Sequence, residues 1–346
     1  MPPPVSSPTI SIIVPCYNEV RTIGALLEAV AAQTLPASQL EMIIADGGSD
    51  DGTRQAIQAF TSNHPDLRLR IVDNPARSIP AALNVAIAHA SGAAVIRLDA
   101  HSAPAPDYVQ RCLETLDRTQ AANVGGVWEI HPGSDTWIGR GIAAAAAHPL
   151  GAGDARYRIQ GEEGPVDTVP FGSYRRQWLE RVGGFNEGLL TNEDYEYNVR
   201  IRSLGGVVWF NPAIRSGYLA RPDLPGLARQ YARYGFWKAR MLLGYPGSLR
   251  WRQALPPVFA CGTLLLLLAS LFNGLARVAV AIEWGAYLGI LLLFGLSEAL
   301  RRRKAPILVS FPLALITIHF AWGGAFWAGI VSGLLTRRPQ RTKGTG

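Results

Sequence analysis

Several short segments of this chain carry residues suited to ligand chemistry. Val14-Pro15-Cys16-Tyr17-Asn18-Glu19 ends one apolar run, and Ala45-Asp46-Gly47-Gly48-Ser49-Asp50-Asp51-Gly52-Thr53 ends a second. A glycine-rich turn entering a helix suits phosphate, but this one holds three carboxylates. Ribose hydroxyls and base NH groups are donors, so such a turn fits a nucleoside better than bare phosphate. Arg77 and Asn84 lie in Asn74–Asn84, Asp99-Ala100-His101 ends a third run, and Glu193-Asp194 opens a helix-like stretch. A guanidinium matches a diphosphate, and a carboxylate near an acceptor hydroxyl serves as a general base.

The elements that must position these residues follow from periodicity. Thr9–Pro15, Glu41–Asp46, Arg68–Asp73 and Ala93–Asp99 read as strands, and Val20–Gln33, Thr53–Phe60 and Pro80–Ala90 as helices between them. Strands buried on both faces and alternating with helices predict an α/β domain with a largely parallel sheet. Ligands then bind beyond the carboxyl ends of the strands, where Asn18, Asp46 and Asp99 lie. Asn123–His131 and Val166–Phe171 read as further strands. Leu150–Pro165, rich in glycine and charge, reads as a mobile lid or binding loop.

The first two turns, in this order, resemble the nucleotide-sugar half of glycosyltransferase family 2, with its Rossmann-like GT-A fold. The resemblance implies that Pro15, Tyr17, Asn18, Glu19, Asp46, Gly48, Arg77, Asn84, Asp99 and Ala100 bind a nucleotide sugar. Gly47 replaces the second acid that relatives usually carry. Asp99-Ala100-His101 stands where the family has Asp-x-Asp holding a divalent metal, so the implied cofactor is Mn²⁺ or Mg²⁺ on Asp99 and His101. The imidazole suits Mn²⁺ better than Mg²⁺ and also leaves room for a direct phosphate contact. Glu193-Asp194 resembles the acceptor half, with Asp194 as general base and Glu193 supporting it. Phe171, Gly172, Arg175 and Arg176 are expected to shape the acceptor site. Gln230-Tyr231-Ala232-Arg233-Tyr234 is similar to the Gln-x-x-Arg-Trp motif of membrane-bound members, with Tyr234 for Trp. The resemblance covers residues 1–240 well and the apolar segments beyond only in kind.

Charge and hydropathy set the organisation. The 346 residues carry a net charge of +7, 48% hydrophobic and 17% charged residues, which excludes a disordered chain. Residues 1–220 hold 17 basic against 23 acidic side chains, a net of −6, and residues 221–346 hold 16 against 3, a net of +13. The basic excess thus coincides with the long apolar runs and points to a membrane surface rather than a nucleic acid. Cys16, Cys112 and Cys261 are too few and too scattered for a disulfide framework or a zinc site. Met1–Pro8 does not read as a secretory signal, so the N-terminal part is expected to stay in the compartment of synthesis.

Three domains are expected: a catalytic domain over 1–220, an amphipathic interfacial segment over 221–253, and a transmembrane region over 254–346. In the interfacial segment Leu227, Tyr231, Tyr234, Met241 and Leu242 share one helical face, as for a helix lying among headgroups. Spans are expected at 255–275, 278–300 and 306–335. The third reads as one long span in preference to a re-entrant hairpin. Arg250, Arg252 and Arg301–Lys304 flank the first two spans, so the positive-inside rule places the catalytic domain in the cytosol of a bacterial inner membrane. One crossing by the third segment leaves Arg337, Arg338, Arg341 and Lys343 on the opposite side.

The function expected is inverting, metal-dependent transfer of a sugar from a nucleotide diphosphate, UDP by preference, to a polyprenyl-diphosphate-linked saccharide in exopolysaccharide assembly. Arg77–Asn84 and Asp99–His101 look closest to the succinoglycan-type glucosyltransferases. A polyprenyl-phosphate sugar synthase is the nearest alternative. An inactive nucleotide-sugar-binding subunit of an export complex is the alternative from another class. No nucleic-acid partner is expected, because the nucleotide half is acidic.

Overall fold

A computed structural model describes residues 10–336. Its chain divides into two compact units, one of residues up to 131 plus 147–220, the other of 132–146 plus 221 onward.

The first unit is built on a nine-stranded sheet. Its strands are β1 (Ile10–Cys16), β2 (Leu40–Asp46), β3 (Arg68–Asp73), β4 (Ala94–Arg97), β5 (Ala103–Pro104), β6 (Asn123–His131), β7 (Gly164–Pro165), β8 (Ser173–Arg175) and β9 (Val208–Leu219). The order is β3-β2-β1-β4-β8-β6-β9-β5, with β7 pairing β9. Strands β3, β2, β1 and β4 are mutually parallel. The parallel sheet expected from the first four strands is therefore present, and it becomes mixed beyond them, because β8 enters antiparallel to both β4 and β6. Helices α1 (Ile23–Ala31), α2 (Thr53–Asn63), α3 (Ile79–His89) and α4 (Tyr108–Thr119) cross between the strands.

Alternation along the strands sorts the core into two layers. Ile10, Ile12 and Val14 pack with Leu26, Leu27 and Val109 on one side. Ile13, Ile43 and Val95 pack with Leu83, Tyr174 and Tyr197 on the other. Each fully buried aliphatic side chain here contributes about 1.5–3 kcal/mol. Because β1 has β2 on one side and β4 on the other, the crossovers diverge at its carboxyl end. That is the crevice where open α/β sheets bind ligands.

The second unit is helical. It comprises α5 (Trp137–Ala146), and, after α6 (Pro149–Ala152), α7 (Arg156–Ile159), α8 (Arg176–Val182) and α9 (Glu193–Ser203) of the first unit, helices α10 (Leu224–Gly244), α11 (Trp251–Ser270), α12 (Gly274–Arg302) and α13 (Ile307–Thr336). Residues 132–146 belong here rather than with the sheet, although they precede β8 in the chain. Small residues explain why: a Cβ on Gly141 would stand 2.3 Å from Ser310 Oγ of α13. Likewise a Cβ on Gly235 of α10 would meet the Trp322 carbonyl of α13 at 2.3 Å. Close backbone approach through glycine is the packing mode of helices in lipid.

Among the described residues three helices are long and apolar enough to cross a membrane: Trp251–Ser270, Gly274–Arg302 and Ile307–Leu335. The third stretch is a single helix, as expected for one crossing, and its 30 residues make roughly 45 Å at helical rise. The basic residues from Arg337 onward lie outside the described residues. On α10 the apolar face expected to meet lipid is covered instead. Leu227, Tyr231 and Met241 are buried and Tyr234 and Leu242 half-buried, because the glycines of α13 admit α10 against it.

Candidate active site

At the switch point the first two turns interlock. The Asn18 amide donates to Ser49 Oγ at 2.8 Å, and the Asn18 side chain donates to Asp50 Oδ1 at 3.0 Å. The Glu19 amide donates to Thr53 Oγ1 at 2.9 Å. Tyr17 is 44% exposed, so its ring stands open to a ligand. Arg77 donates from Nε to the Gly47 carbonyl at 2.9 Å, and its guanidinium lies 5.3 Å from the Tyr17 ring centroid. The structure therefore brings Tyr17, Asn18, Glu19, Gly48 and Arg77 together. Pro15 lies one step back on β1.

Asp46 is fully buried. Its Oδ2 accepts from the Gly48 and Ser49 amides, each at 3.1 Å, and from Arg54 Nε at 2.5 Å. Arg54 also pairs with Asp73. The Asp46 carboxyl is held below the usual carboxylate range: burial opposes this, but the bonds from Ser49 and Arg54 prevail. Asp46 thus organises the turn from beneath. Cys16 beside it is no nucleophile, since burial and then Asp46, Glu19 and Asp51 push its thiol up to about 12. Asn84 is likewise engaged. Its Nδ2 donates to the Phe185 carbonyl at 3.0 Å and to Glu187 at 2.8 Å, and its Oδ1 accepts from the Phe185 amide at 2.7 Å. It pins the loop before α9 to α3.

The third and fourth segments meet through a residue that motif reading missed. Arg97, 5% exposed, donates from Nε to Asp99 Oδ1 at 3.0 Å and from Nη1 to Glu193 Oε1 at 2.9 Å. Arg97 and Asp99 are two apart at the end of β4, the spacing that sets side chains on one face of a strand, and that is the one sequence signal that could have found the pair. Glu193 is buried and Asp194 half-buried at the first turn of α9. Burial raises both carboxyls above the usual range, with Arg97 pulling against it. Arg97 itself is held above its ordinary value, because Asp99, Glu193 and Asp194 outweigh its desolvation.

His101 is exposed, with Nδ1 3.2 Å from Glu19 Oε1. Burial pushes the Glu19 carboxyl up, but bonds from His101 and Thr22 bring it below the ordinary value. Ala100 is buried between Asp99 and His101. Among the described residues no group of three or more His, Cys, Asp and Glu side chains is arranged to hold a metal. Asp99 and His101 are two donors of the right kind, and a carboxylate on the second imidazole nitrogen is how metal-binding histidines are oriented. By residue type Asp99 and His101 fit a divalent cation, as two of its ligands.

Backbone strain gathers at the same place. Of the seven non-glycine residues with positive φ among the described residues, Asn18, Arg77, Phe171 and Asn192 belong to these segments. Such conformers cost roughly 1–2 kcal/mol each and persist where tertiary structure fixes them. Phe171 is buried with its ring 5.7 Å from Trp128. Gly172 has φ +101°, and a Cβ there would stand 2.2 Å from the Tyr174 hydroxyl.

Arg175 and Arg176 depart from expectation. Arg175 lies opposite Ala94 at the start of β4, roughly 16 Å of strand from Asp99. It donates to the Leu116 carbonyl at 3.1 Å and to Asp117 at 2.7 Å. Arg176 donates to the carbonyls of Gly92 and Ala90 at 2.8 and 2.7 Å. Both tie down helix ends at the opposite end of the sheet, because β8 runs antiparallel to β4. The segment read as a mobile loop holds α6, α7 and β7. Its Arg158 is buried, with the guanidinium 4.9 Å from the Trp128 ring and 5.6 Å from Tyr218. Gln230, Arg233 and Tyr234 lie on α10 in the second unit, where Gln230 Nε2 donates to the Tyr234 hydroxyl at 2.9 Å.

A mixed sheet whose first four strands are parallel, with a glycine-rich acidic turn, a carboxylate just past β4 and an acidic helix start, is the architecture of a GT-A glycosyltransferase domain. The family model for glycosyl transferase family 2 matches residues 11–183, and the chain belongs to that family. It is 31% identical over 318 residues to the succinoglycan biosynthesis protein ExoA of Rhizobium meliloti (strain 1021), covering 91% of this chain and 93% of that protein. It is 27% identical to the dolichyl N-acetyl-alpha-D-glucosaminyl phosphate 3-beta-D-2,3-diacetamido-2,3-dideoxy-beta-D-glucuronosyltransferase of Methanococcus voltae, covering 94% of this chain and 98% of that one. Among solved structures it is similar to the mannosyltransferase PcManGT from Pyrobaculum calidifontis in complex with GDP-Man and Mn²⁺, at TM-score 0.59 and 22% identity, covering 96% of this chain and 89% of that chain. The chain is a glycosyltransferase of polysaccharide or glycan biosynthesis with membrane-spanning helices.

Proposed function

We propose that the protein transfers a sugar, with inversion, from a nucleotide diphosphate donor to a polyprenyl-diphosphate-linked saccharide at the cytosolic face of a bacterial inner membrane. One observation carries this reading: Asp99, from the end of β4, and Glu193, from the start of α9, converge on the Arg97 guanidinium at 3.0 and 2.9 Å. Donor-side and acceptor-side groups thereby share one site.

The nucleoside lies against Tyr17 and the interlocked turns that Asp46 holds from below. UDP is the preferred nucleotide, and Arg77 faces its diphosphate. A divalent cation, Mn²⁺ or Mg²⁺, held by Asp99 and His101 would neutralise charge on the departing diphosphate. Asp194 takes the proton of the acceptor hydroxyl. That oxygen attacks the anomeric carbon on the face opposite the diphosphate, so the configuration inverts. The upward shift of Asp194 suits a base that must accept a proton near neutral pH. The relative named for a dolichyl-linked sugar phosphate supports a lipid-linked saccharide as acceptor. The basic excess beside the spans supports cytosolic placement.

The test is a panel of UDP- and GDP-sugars offered to the detergent-purified chain with membrane lipid extract and Mn²⁺ or Mg²⁺. Products are resolved by thin-layer analysis and anomeric NMR. An inverted sugar on a lipid-linked saccharide is expected. A product on bare polyprenyl phosphate selects the synthase reading. Nucleotide binding with no transfer from any donor selects the inactive-subunit reading.

A further inference from the structure

Strand β4 reads Ala94-Val95-Ile96-Arg97, an apolar strand with one guanidinium set in it. Its backbone is fixed on both sides. Arg97 is in register with Ile13 of β1, and its amide donates to the Gly172 carbonyl at 3.0 Å. Gly172 follows the strained Phe171, so the same residue is bonded to the turn expected at the acceptor site. Its side chain is only 6% exposed, and so is that of Glu193, to which it is paired. An ion buried on a central strand costs several kcal/mol unless its partners are well placed. A methionine or leucine would fill this position without that cost.

The bonds point in two directions. One fork of the guanidinium holds Asp99, two residues away, and the other holds Glu193, 96 residues away and next to Asp194. Arg97, Asp99, Glu193 and Asp194 together carry a net of −2. Without the arginine, the almost wholly buried Glu193 would lose its counter-charge beside two further carboxylates, and nothing in this pair of bonds would fix α9 to β4. A planar fork with five fixed donors holds two carboxylates at a set separation, whereas an ammonium is a point charge that does not.

We propose that Arg97 is a positioning residue for transfer: it clamps the donor-side Asp99 to the acceptor-side Glu193, and so sets where the adjacent Asp194 stands relative to the leaving diphosphate. This rests on the glycosyl-transfer reading above. Arg97 touches neither substrate and acts through the carboxylates. A misplacement of about 1 Å in such a geometry costs on the order of 100-fold in turnover.

Two variants of the full-length chain test it, Arg97→Lys and Arg97→Met, each followed by thermal unfolding, UDP titration, and kcat and KM with the donor and lipid extract that the native chain accepts. Arg97→Lys keeps the charge and loses the fork. It is expected to stay folded and bind UDP within about threefold of native, and to lose 10- to 100-fold in kcat with little change in either KM. Arg97→Met is expected to lose more than 100-fold in kcat, so that the lysine restores part of the function. Should Arg97→Met fail to fold, Arg97→Lys alone decides. Native kcat in either folded variant overturns the proposal. So does a loss confined to KM, or to UDP affinity, which would make Arg97 a binding residue. If instead the native chain transfers no sugar, the functional reading has failed, and the outcomes for the clamp are read only against measured native transfer.

Discussion

The two units both bury polar groups, but the bonds of the sheet unit reach across the chain, whereas glycine contacts mark the helical unit. In the sheet unit the buried set includes Ser11, Glu41, Asp46, Arg97, Asn123, Glu193 and Glu196, each bonded to a partner from a distant part of the chain or an adjacent turn. The helical unit holds buried Lys238, Thr263 and Glu298 in bonds of its own, but its helices meet most closely where glycine faces backbone: Gly235 on Trp322, Gly323 on Pro256, Gly329 on Phe236. The unit leaves large apolar side chains such as Phe272, Leu275 and Leu335 more than 80% exposed. Satisfied polar networks specify geometry to fractions of an ångström, which chemistry requires. Close-packed small residues hold helices where lipid removes the hydrophobic drive between them. Charge removal should therefore damage the first unit and added bulk the second.

The sharpest way to break that contrast is Asp194→Asn, which keeps shape and removes the base. Turnover should fall about 10³-fold while UDP affinity, read by calorimetry, stays within about threefold. Near-native turnover would remove the base assignment. The pH profile should follow the same group. Burial raises the Asp194 carboxyl, so it stays protonated to a higher pH than an ordinary aspartate at about 3.9. Turnover is then lost as pH falls through the raised value, about tenfold per unit below it, whereas UDP affinity changes less. A limb at or below the ordinary value would contradict this.

In the helical unit Gly235→Leu sets a side chain against the Trp322 carbonyl. Overpacking of this kind costs about 1–3 kcal/mol, so the melting point in detergent should drop by several degrees. UDP affinity should be unaffected, and its loss would show that the two kinds of packing are not separable. Tyr17→Ala removes no charge from the sheet unit, although it takes the ring away from the Arg77 guanidinium. Removing a ring on which a base stacks costs about 1–3 kcal/mol, a loss of about tenfold or more in UDP affinity at unchanged melting point. The smallest effect belongs to Arg176→Ala, whose turnover should stay within about twofold, since its guanidinium serves the carbonyls of Ala90 and Gly92. A large loss there would restore an acceptor role.

Much of this was legible beforehand, and the reasons differ by residue. Strand and helix alternation through β4 is local, so periodicity finds it. The spans are legible because hydropathy integrates over 20 residues or more. Tyr17, Asn18 and Asp99 could be placed at the candidate site because they follow strand ends at the switch point, which a local pattern locates. Arg175 and Arg176 were misplaced because their position depends on β8 running antiparallel to β4, a pairing that no local signal encodes. The apolar face of α10 was read correctly as a face but assigned to lipid, since a stripe of Leu227, Tyr231 and Met241 does not say what covers it. Residues 132–146 look like a continuation of the sheet domain until Gly141 is seen against Ser310.

The sequence by itself determined the composition of the site, the four parallel strands and the three apolar helices, because each is written in residue types over short windows. Only tertiary structure decided that Asp46 lies under its turn, that Asn84 holds the Phe185 loop, and that Arg97 joins Asp99 to Glu193. Those outcomes rest on pairs separated by tens of residues, and the desolvation that forces buried charges to find partners exists only once the sheet has closed around them.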